Sequence, residues 1–169
     1  MAMATSDKVQ FKRSDKAKSL GLYSEIKAST PGSAGIDLFA MDDVILYNNN
    51  SLGNIQPVTE IRTGLYLWTG SNEDESDDFQ LSQLLLPRGS SKFHLANTIG
   101  LIDSDYQGEL IIRAINFSRD TIVIKEGSKV AQLILVPTLR IRPSYFIEVN
   151  DFETKTVRGE GRNNSTGDR

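Results

Sequence analysis

Short runs rich in Ile, Leu, Val, Tyr and Phe recur along the chain, each broken by a polar or turn-forming cluster. They fall at Val9–Arg13, Ile36–Ala40, Val44–Tyr47, Ile61–Trp68, Phe79–Leu86, Glu109–Phe117, Thr121–Lys125, Lys129–Val136 and Arg140–Val149. Asn48-Asn-Asn-Ser-Leu-Gly53, Ser118-Arg-Asp120 and Glu126-Gly-Ser128 supply turns between them. Many short strands at this spacing predict an all-β sandwich, jelly roll or barrel. No segment holds a helical apolar stripe for long. Ser128–Leu135 fits a short helix in isolation, but its neighbours favour a strand. There is no internal repeat and no break between two domains, and 169 residues suffice for one domain with a real core.

Two polar segments stand apart. Glu73–Asp78 carries five acids among six residues and reads as a solvated loop held extended by like charge. The tail from Arg158 to Arg169 is Gly-rich and polar with no apolar anchor. The pattern therefore divides the chain into a β domain at 1–157, with 1–6 an unstructured leader, and an arm at 158–169.

Composition narrows the chemistry. The formal net charge of -3 argues against a protein that coats nucleic acid. It leaves room for a nucleotide, because a few local arginines suffice for phosphates. With no cysteine, a disulfide framework, a thiolate nucleophile and a Cys-based zinc site are excluded. A single histidine, His94, excludes a multi-His metal site, and nothing around it resembles a nucleophile elbow. Carboxylates, hydroxyls, arginines and a hard metal held through oxygen remain. No apolar stretch reaches membrane-spanning length, and the N-terminus lacks a signal-peptide core, so an intracellular, cytoplasmic protein is expected.

The most informative stretch is Asn97-Thr-Ile-Gly-Leu-Ile-Asp-Ser-Asp-Tyr-Gln-Gly-Glu-Leu110. Apolar residues run to Asp103, a tight polar cluster follows, and a second strand-like run begins at Glu109. This predicts a β-hairpin with carboxylates and a tyrosine at its tip. A carboxylate so placed can orient a water, and Tyr106 can wall the same pocket.

Four other patches accompany it in order: Ala34-Gly-Ile-Asp-Leu38, Pro87-Arg-Gly-Ser-Ser-Lys92, Gly127-Ser-Lys-Val-Ala-Gln-Leu-Ile134, and Arg158-Gly-Glu-Gly161 with Ser165-Thr-Gly167. Each alone reads as an ordinary turn, loop or flexible end. As an ordered set across residues 34–167, the five resemble the five motifs of trimeric dUTP diphosphatases (dUTPases). The resemblance implies a distorted jelly roll, a homotrimer with shared active sites, and hydrolysis of dUTP to dUMP and pyrophosphate. That activity limits uracil incorporation into DNA and supplies dUMP for thymidylate synthesis. It also implies Mg²⁺ as cofactor, and neither stable nucleic-acid binding nor a membrane.

The residue types suit that chemistry. A nucleoside triphosphate needs cations and aligned donors. Arg88 and Arg158 offer forked guanidinium groups. Ser90 or Ser91, Gln132, Ser165 and Thr166 offer neutral hydrogen bonds. By resemblance, Asp103 activates the water that attacks the α-phosphorus; Asp105 is its rival two residues on. Asn97 matches the position that helps read the base, Gly100 lies on the same hairpin, and Tyr106 matches the tyrosine that packs on the deoxyribose and excludes a 2′-hydroxyl. Asp37 would hold a magnesium-bound water.

The chain departs from the pattern twice. Gly89 intervenes where Ser normally follows Pro-Arg, and the stretch on to Asn97 is shorter than usual. Arg162-Asn-Asn164 stands where Gly-Phe-Gly is expected, removing the ring that stacks on the base; Arg162 is a candidate replacement. The acidic segment looks like an insertion. The competing functions are a nucleotide-binding or regulatory protein of the same fold with weak or no catalysis, and a dCTP deaminase, which the Ile102-Asp-Ser-Asp-Tyr106 sequence disfavours.

Overall fold

The computed structural model describes residues 9–48, 57–70 and 78–150. Among them lie ten strands: β1 (Gln10–Arg13), β2 (Ile36–Phe39), β3 (Val44–Leu46), β4 (Thr59–Trp68), β5 (Phe79–Leu86), β6 (His94–Leu95), β7 (Gly100–Ile102), β8 (Glu109–Ile115), β9 (Ile122–Ile124) and β10 (Lys129–Leu139). One five-residue helix, α1 (Asp15–Ser19), follows β1. The strands form two four-stranded sheets, ordered β1-β4-β8-β6 and β2-β10-β5-β7, and a small β3-β9 pair. Every described pairing is antiparallel. The all-β, jelly-roll expectation holds.

Period-two alternation builds the core. Along β8, Leu110, Ile112 and Ala114 are buried while Arg113 is exposed; along β4, Ile61, Thr63, Leu65 and Leu67 are buried. Each fully buried Leu or Ile contributes roughly 1.5–3 kcal/mol. Gln83 of β5 is buried and donates its amide to the Leu67 carbonyl of β4, which ties one sheet to the other. The helix α1 is too short to show an apolar stripe. Its signature is the Ser14 side chain, which accepts from Ala17 N at 3.1 Å as an N-cap.

Two expectations are corrected. The strand expected at Arg140–Val149 is absent; the segment carries a single 3-10 turn, Pro143–Tyr145. Pro143 has no N–H to give a ladder, and no described strand pairs with the segment. The stretch from Asn97 to Leu110 is also not a two-stranded hairpin ladder. β7 pairs with β5, whereas β8 pairs with β4 and β6, so its two arms enter different sheets. Buried Ser104 pins the connection: its hydroxyl meets Gln80 at 3.1 Å, and its carbonyl accepts from Thr69 at 3.3 Å.

Candidate active site

The register of the second sheet lines up three of the motifs. Gln132 of β10 lies opposite Asp37 of β2 on one side and Leu86 of β5 on the other. β5 ends there and hands the chain to Pro87 and Arg88. Asp37 and Arg88 therefore meet: Arg88 Nε lies 3.0 Å from Asp37 Oδ1. The other oxygen of Asp37 is held by Lys129 Nζ at 2.7 Å and by the Ser29 hydroxyl at 2.9 Å. Burial pushes the Asp37 carboxyl up. The Lys129 and Ser29 hydrogen bonds and the Arg88 charge outweigh it, holding the group below its ordinary value. Gln132 donates to the Pro87 carbonyl at 2.9 Å and fastens the loop that carries Arg88. Gly35 makes room for it, since a Cβ there would stand 3.1 Å from Gln132 Oε1. These groups border a polar cleft of about 340 Å³ lined also by Ser33, Gly89 and Ser90.

The two serines of the Arg88 loop have different fates. Ser91 is spent locally: its hydroxyl donates to the Phe93 carbonyl at 2.8 Å, and its N–H closes a turn onto Arg88. Ser90 is exposed and faces the cleft. Ser90, one residue beyond Gly89, thus lines the same cleft as Asp37 and Arg88.

At the other end of the sheet, Gly100 sits against Asn97; a Cβ at Gly100 would lie 2.9 Å from Asn97 Nδ2 and 3.1 Å from Leu85 Cβ. The chain reaches that approach through Thr98 at φ 59, an αL residue. Asp103 and Asp105 are both exposed and flank buried Ser104. The Asp103 carbonyl accepts from Tyr106 N at 3.2 Å. The Tyr106 hydroxyl donates to the Glu109 carbonyl at 3.0 Å, which folds the ring over Gly108. Glu109 is anchored in turn by Arg62 at 3.0 Å and by Gly64 N at 2.8 Å. The Glu109 carbonyl holds Tyr106 and Gly108 leaves room for its ring; Gly108 falls within the sequence motif, yet neither residue was marked there for this role.

One chain does not bring the two ends together. Asp37 and Asp103 are three strand positions apart across the sheet. They are also offset along it, since Asp37 lies level with Leu86 and Ile102 with Gln83. At about 4.8 Å between strands and about 3.3 Å per residue, the separation is roughly 20 Å. A base must lie within about 3 Å of the water it activates. Arg158, Arg162, Ser165 and Thr166 lie outside the described residues.

The cluster also tests the magnesium expectation. No group of three His, Asp or Glu suited to a metal occurs among the described residues. Asp37 already faces two cations, which makes it a poor direct ligand. Its Oδ1 has one recorded partner, so a carboxylate lone pair remains for a metal-bound water.

A dUTPase family model matches residues 75–167, which span the Arg88 loop, the Asp103 turn, the Gln132 strand and the terminal arm. The chain belongs to the dUTPase family. The deoxyuridine 5'-triphosphate nucleotidohydrolase of Pseudomonas fluorescens (strain SBW25) is 40% identical over 139 residues, 79% of this chain and 80% of the relative. That of Desulfitobacterium hafniense (strain DCB-2) is 35% identical over 162 residues, covering 95% of each. Among solved structures, the Staphylococcus bacteriophage 80alpha dUTPase with dUPNHPP superposes with a TM-score of 0.71 at 21% identity, covering 95% of this chain and 99% of that one. A variant of the phage phi11 dUTPase, described with a structural Mg(II) ion, superposes at 0.62 and 21% identity over 87% of this chain and 99% of that one. These dUTPase structures share the fold; the sequence relatives establish the family.

Proposed function

We propose that this chain hydrolyses dUTP to dUMP and pyrophosphate, acting as a dUTP diphosphatase. The observation that carries the reading is the alignment of Asp37, Gln132 and Arg88 across three strands at the mouth of a polar cleft, in a chain of the dUTPase family. Arg88, Ser90 and Gln132 bind the phosphates, joined from the arm by Arg158, Ser165 and Thr166. Ser91, committed to its own turn, shapes the loop instead. Asn97 and the backbone around Gly100 read uracil, and the Tyr106 ring closes the space that a 2′-hydroxyl would need. A site whose buried polar groups match uracil leaves them unpaired with cytosine, which costs far more than a missing methylene.

Asp103 orients the attacking water. Its carboxylate takes a proton as oxygen bonds to the α-phosphorus, the Pα–O–Pβ bond breaks, and pyrophosphate leaves. In-line attack gains mostly from alignment and charge neutralisation, so an ordinary carboxylate suffices. Magnesium, when bound with the triphosphate, neutralises phosphate charge; Asp37 would reach it through water.

The roughly 20 Å between Asp37 and Asp103 favours a site shared between copies. Exposed apolar side chains supply surface for assembly: Ile141, Phe146 and Ile147 are 78%, 69% and 85% exposed. A homotrimer, with the Asp103 turn from one chain and the Arg88 cluster from another, satisfies both. No helix among the described residues is long and apolar enough to cross a membrane, and the intracellular reading accords with a nucleotide substrate.

The test is incubation with dUTP, dCTP, UTP and dTTP plus Mg²⁺, assaying pyrophosphate and ammonia. Pyrophosphate from dUTP alone is the expected result. Ammonia from dCTP would establish a deaminase, and no turnover of any of the four a binding protein.

A further inference from the structure

Lys129 reaches Asp37 by a break in the strand. Side chains alternate along a regular ladder, so Lys129, three residues from Gln132, should face away from Gln132 and Asp37. In β10, however, Gln132 pairs with Asp37, Ala131 with Leu38 and Lys129 with Phe39, so Val130 is an extra residue opposite nothing. Such a bulge re-aims a side chain. Val130 goes into the core at 2% exposure, and Lys129 turns onto the face of Asp37 and Gln132, its Nζ 2.7 Å from Asp37 Oδ2. Ser29 meets the same oxygen from the loop before β2. That loop is itself fastened to β2, where the Tyr23 hydroxyl accepts from Phe39 N at 2.8 Å.

The geometry at Arg88 shows what this double hold does. The strongest pairing of a guanidinium with a carboxylate is bidentate, with both oxygens used by the fork. Here Oδ2 is occupied by Lys129 and Ser29, and Asp37 contacts Arg88 through Oδ1 at Nε. Among the described residues the terminal nitrogens of Arg88 donate no hydrogen bond, and the side chain borders the cleft shared with Ser90 and Gln132. We propose that Lys129, together with Ser29, is a positioning residue for phosphate binding: by occupying Asp37 Oδ2, it stops Asp37 from capturing the guanidinium fork and leaves that fork for the triphosphate. This rests on the dUTP reading above.

The experiment uses the full chain and a non-hydrolysable α,β-imido analogue of dUTP, with binding measured by calorimetry and steady-state kinetics on dUTP alongside. Lys129→Met should weaken analogue binding and raise KM about tenfold, with kcat within about twofold, because the Asp103 end is untouched. Lys129→Arg should recover most of the affinity. Ser29→Ala changes no charge, yet should raise KM about threefold in the same direction; it carries the test should Lys129→Met not fold. Wild-type affinity in both Lys129→Met and Ser29→Ala would overturn the inference. So would a fall in kcat equal to the loss in kcat/KM. Failure of the wild-type chain to bind the analogue would instead overturn the dUTP reading beneath it.

Discussion

Gly108→Ala tests the proposed sugar-excluding role of Tyr106 separately from its part in stability. A Cβ at Gly108 would lie 2.2 Å from the Tyr106 hydroxyl, 2.4 Å from Cζ and 2.9 Å from Cε2, so the ring cannot stay where it is. Tyr106 is 42% exposed and swings out into solvent at little cost. What the fold loses is the hydrogen bond from Tyr106 to the Glu109 carbonyl, a net effect of about 0.5–1.5 kcal/mol. In a chain of this size that lowers the melting temperature by roughly 1–6 °C. On the proposed reading, what the site loses is one wall of the sugar pocket. The ratio of kcat/KM for dUTP to that for UTP should fall about tenfold or more, the scale on which a pocket wall discriminates one small group. Tyr106→Ala should fall equally, and the double variant no further. The assay is pyrophosphate release from each nucleotide with a melting curve for each variant. A wild-type dUTP/UTP ratio in Gly108→Ala would refute the assignment of Tyr106 as the sugar wall.

Other expectations follow from the same geometry. Gly64→Ala should destabilise the fold without a change in substrate choice: the residue sits at φ 65, and a Cβ would meet Met41 Sδ at 2.5 Å and Ser14 Oγ at 2.6 Å. Left-handed strain and overpacking together cost about 2–5 kcal/mol, a fall of roughly 10 °C in a thermal melt. Asp103→Asn should cut kcat by about 10²–10⁴ while analogue binding persists, and Asp105→Asn should leave kcat near wild type; the reverse pattern would move the base to Asp105. The Asp37 carboxyl is held below its ordinary value of 3.8, so its stabilisation is present above that value and is lost as pH falls through the lower folded value. Urea midpoints between about pH 6 and pH 2 should therefore fall less steeply on the acid side in Asp37→Asn than in the wild type.

Much of the fold was legible because alternation marks half-buried strands: β4, β5, β8 and β10 sit where the apolar runs predict them. Elements set by few residues were not. α1 shows itself only through the Ser14 cap, and β6 is two residues long. The Arg140–Val149 run was misread because its apolar residues are exposed surface, not a face buried within this chain. The Asn97–Leu110 stretch has the local signature of a hairpin, yet strand partners are tertiary facts, and its two arms found different sheets. At the site, Asp37, Arg88 and Gln132, quoted from three separate motifs, lie together where β2, β10 and the end of β5 meet. The sequence left open which of Ser90 and Ser91 serves the phosphates; the local bond of Ser91 to the Phe93 carbonyl and the place of Ser90 at the cleft favour Ser90. Lys129 escaped notice because regular alternation puts it on the wrong face, and only the bulge at Val130 reverses that.

The central claim is that the Asp103 turn and the Arg88 cluster act together across two copies of the chain. Complementation tests it most directly. Asp103→Asn and Arg88→Ala variants, each inactive alone, are mixed in equal amounts, unfolded and refolded together, and assayed for pyrophosphate from dUTP. Random assembly restores an intact Asp103 and an intact Arg88 in about a quarter of sites, so about a quarter of wild-type activity should return. Activity no higher than that of either variant alone would show that each chain builds its site by itself, and would contradict the account.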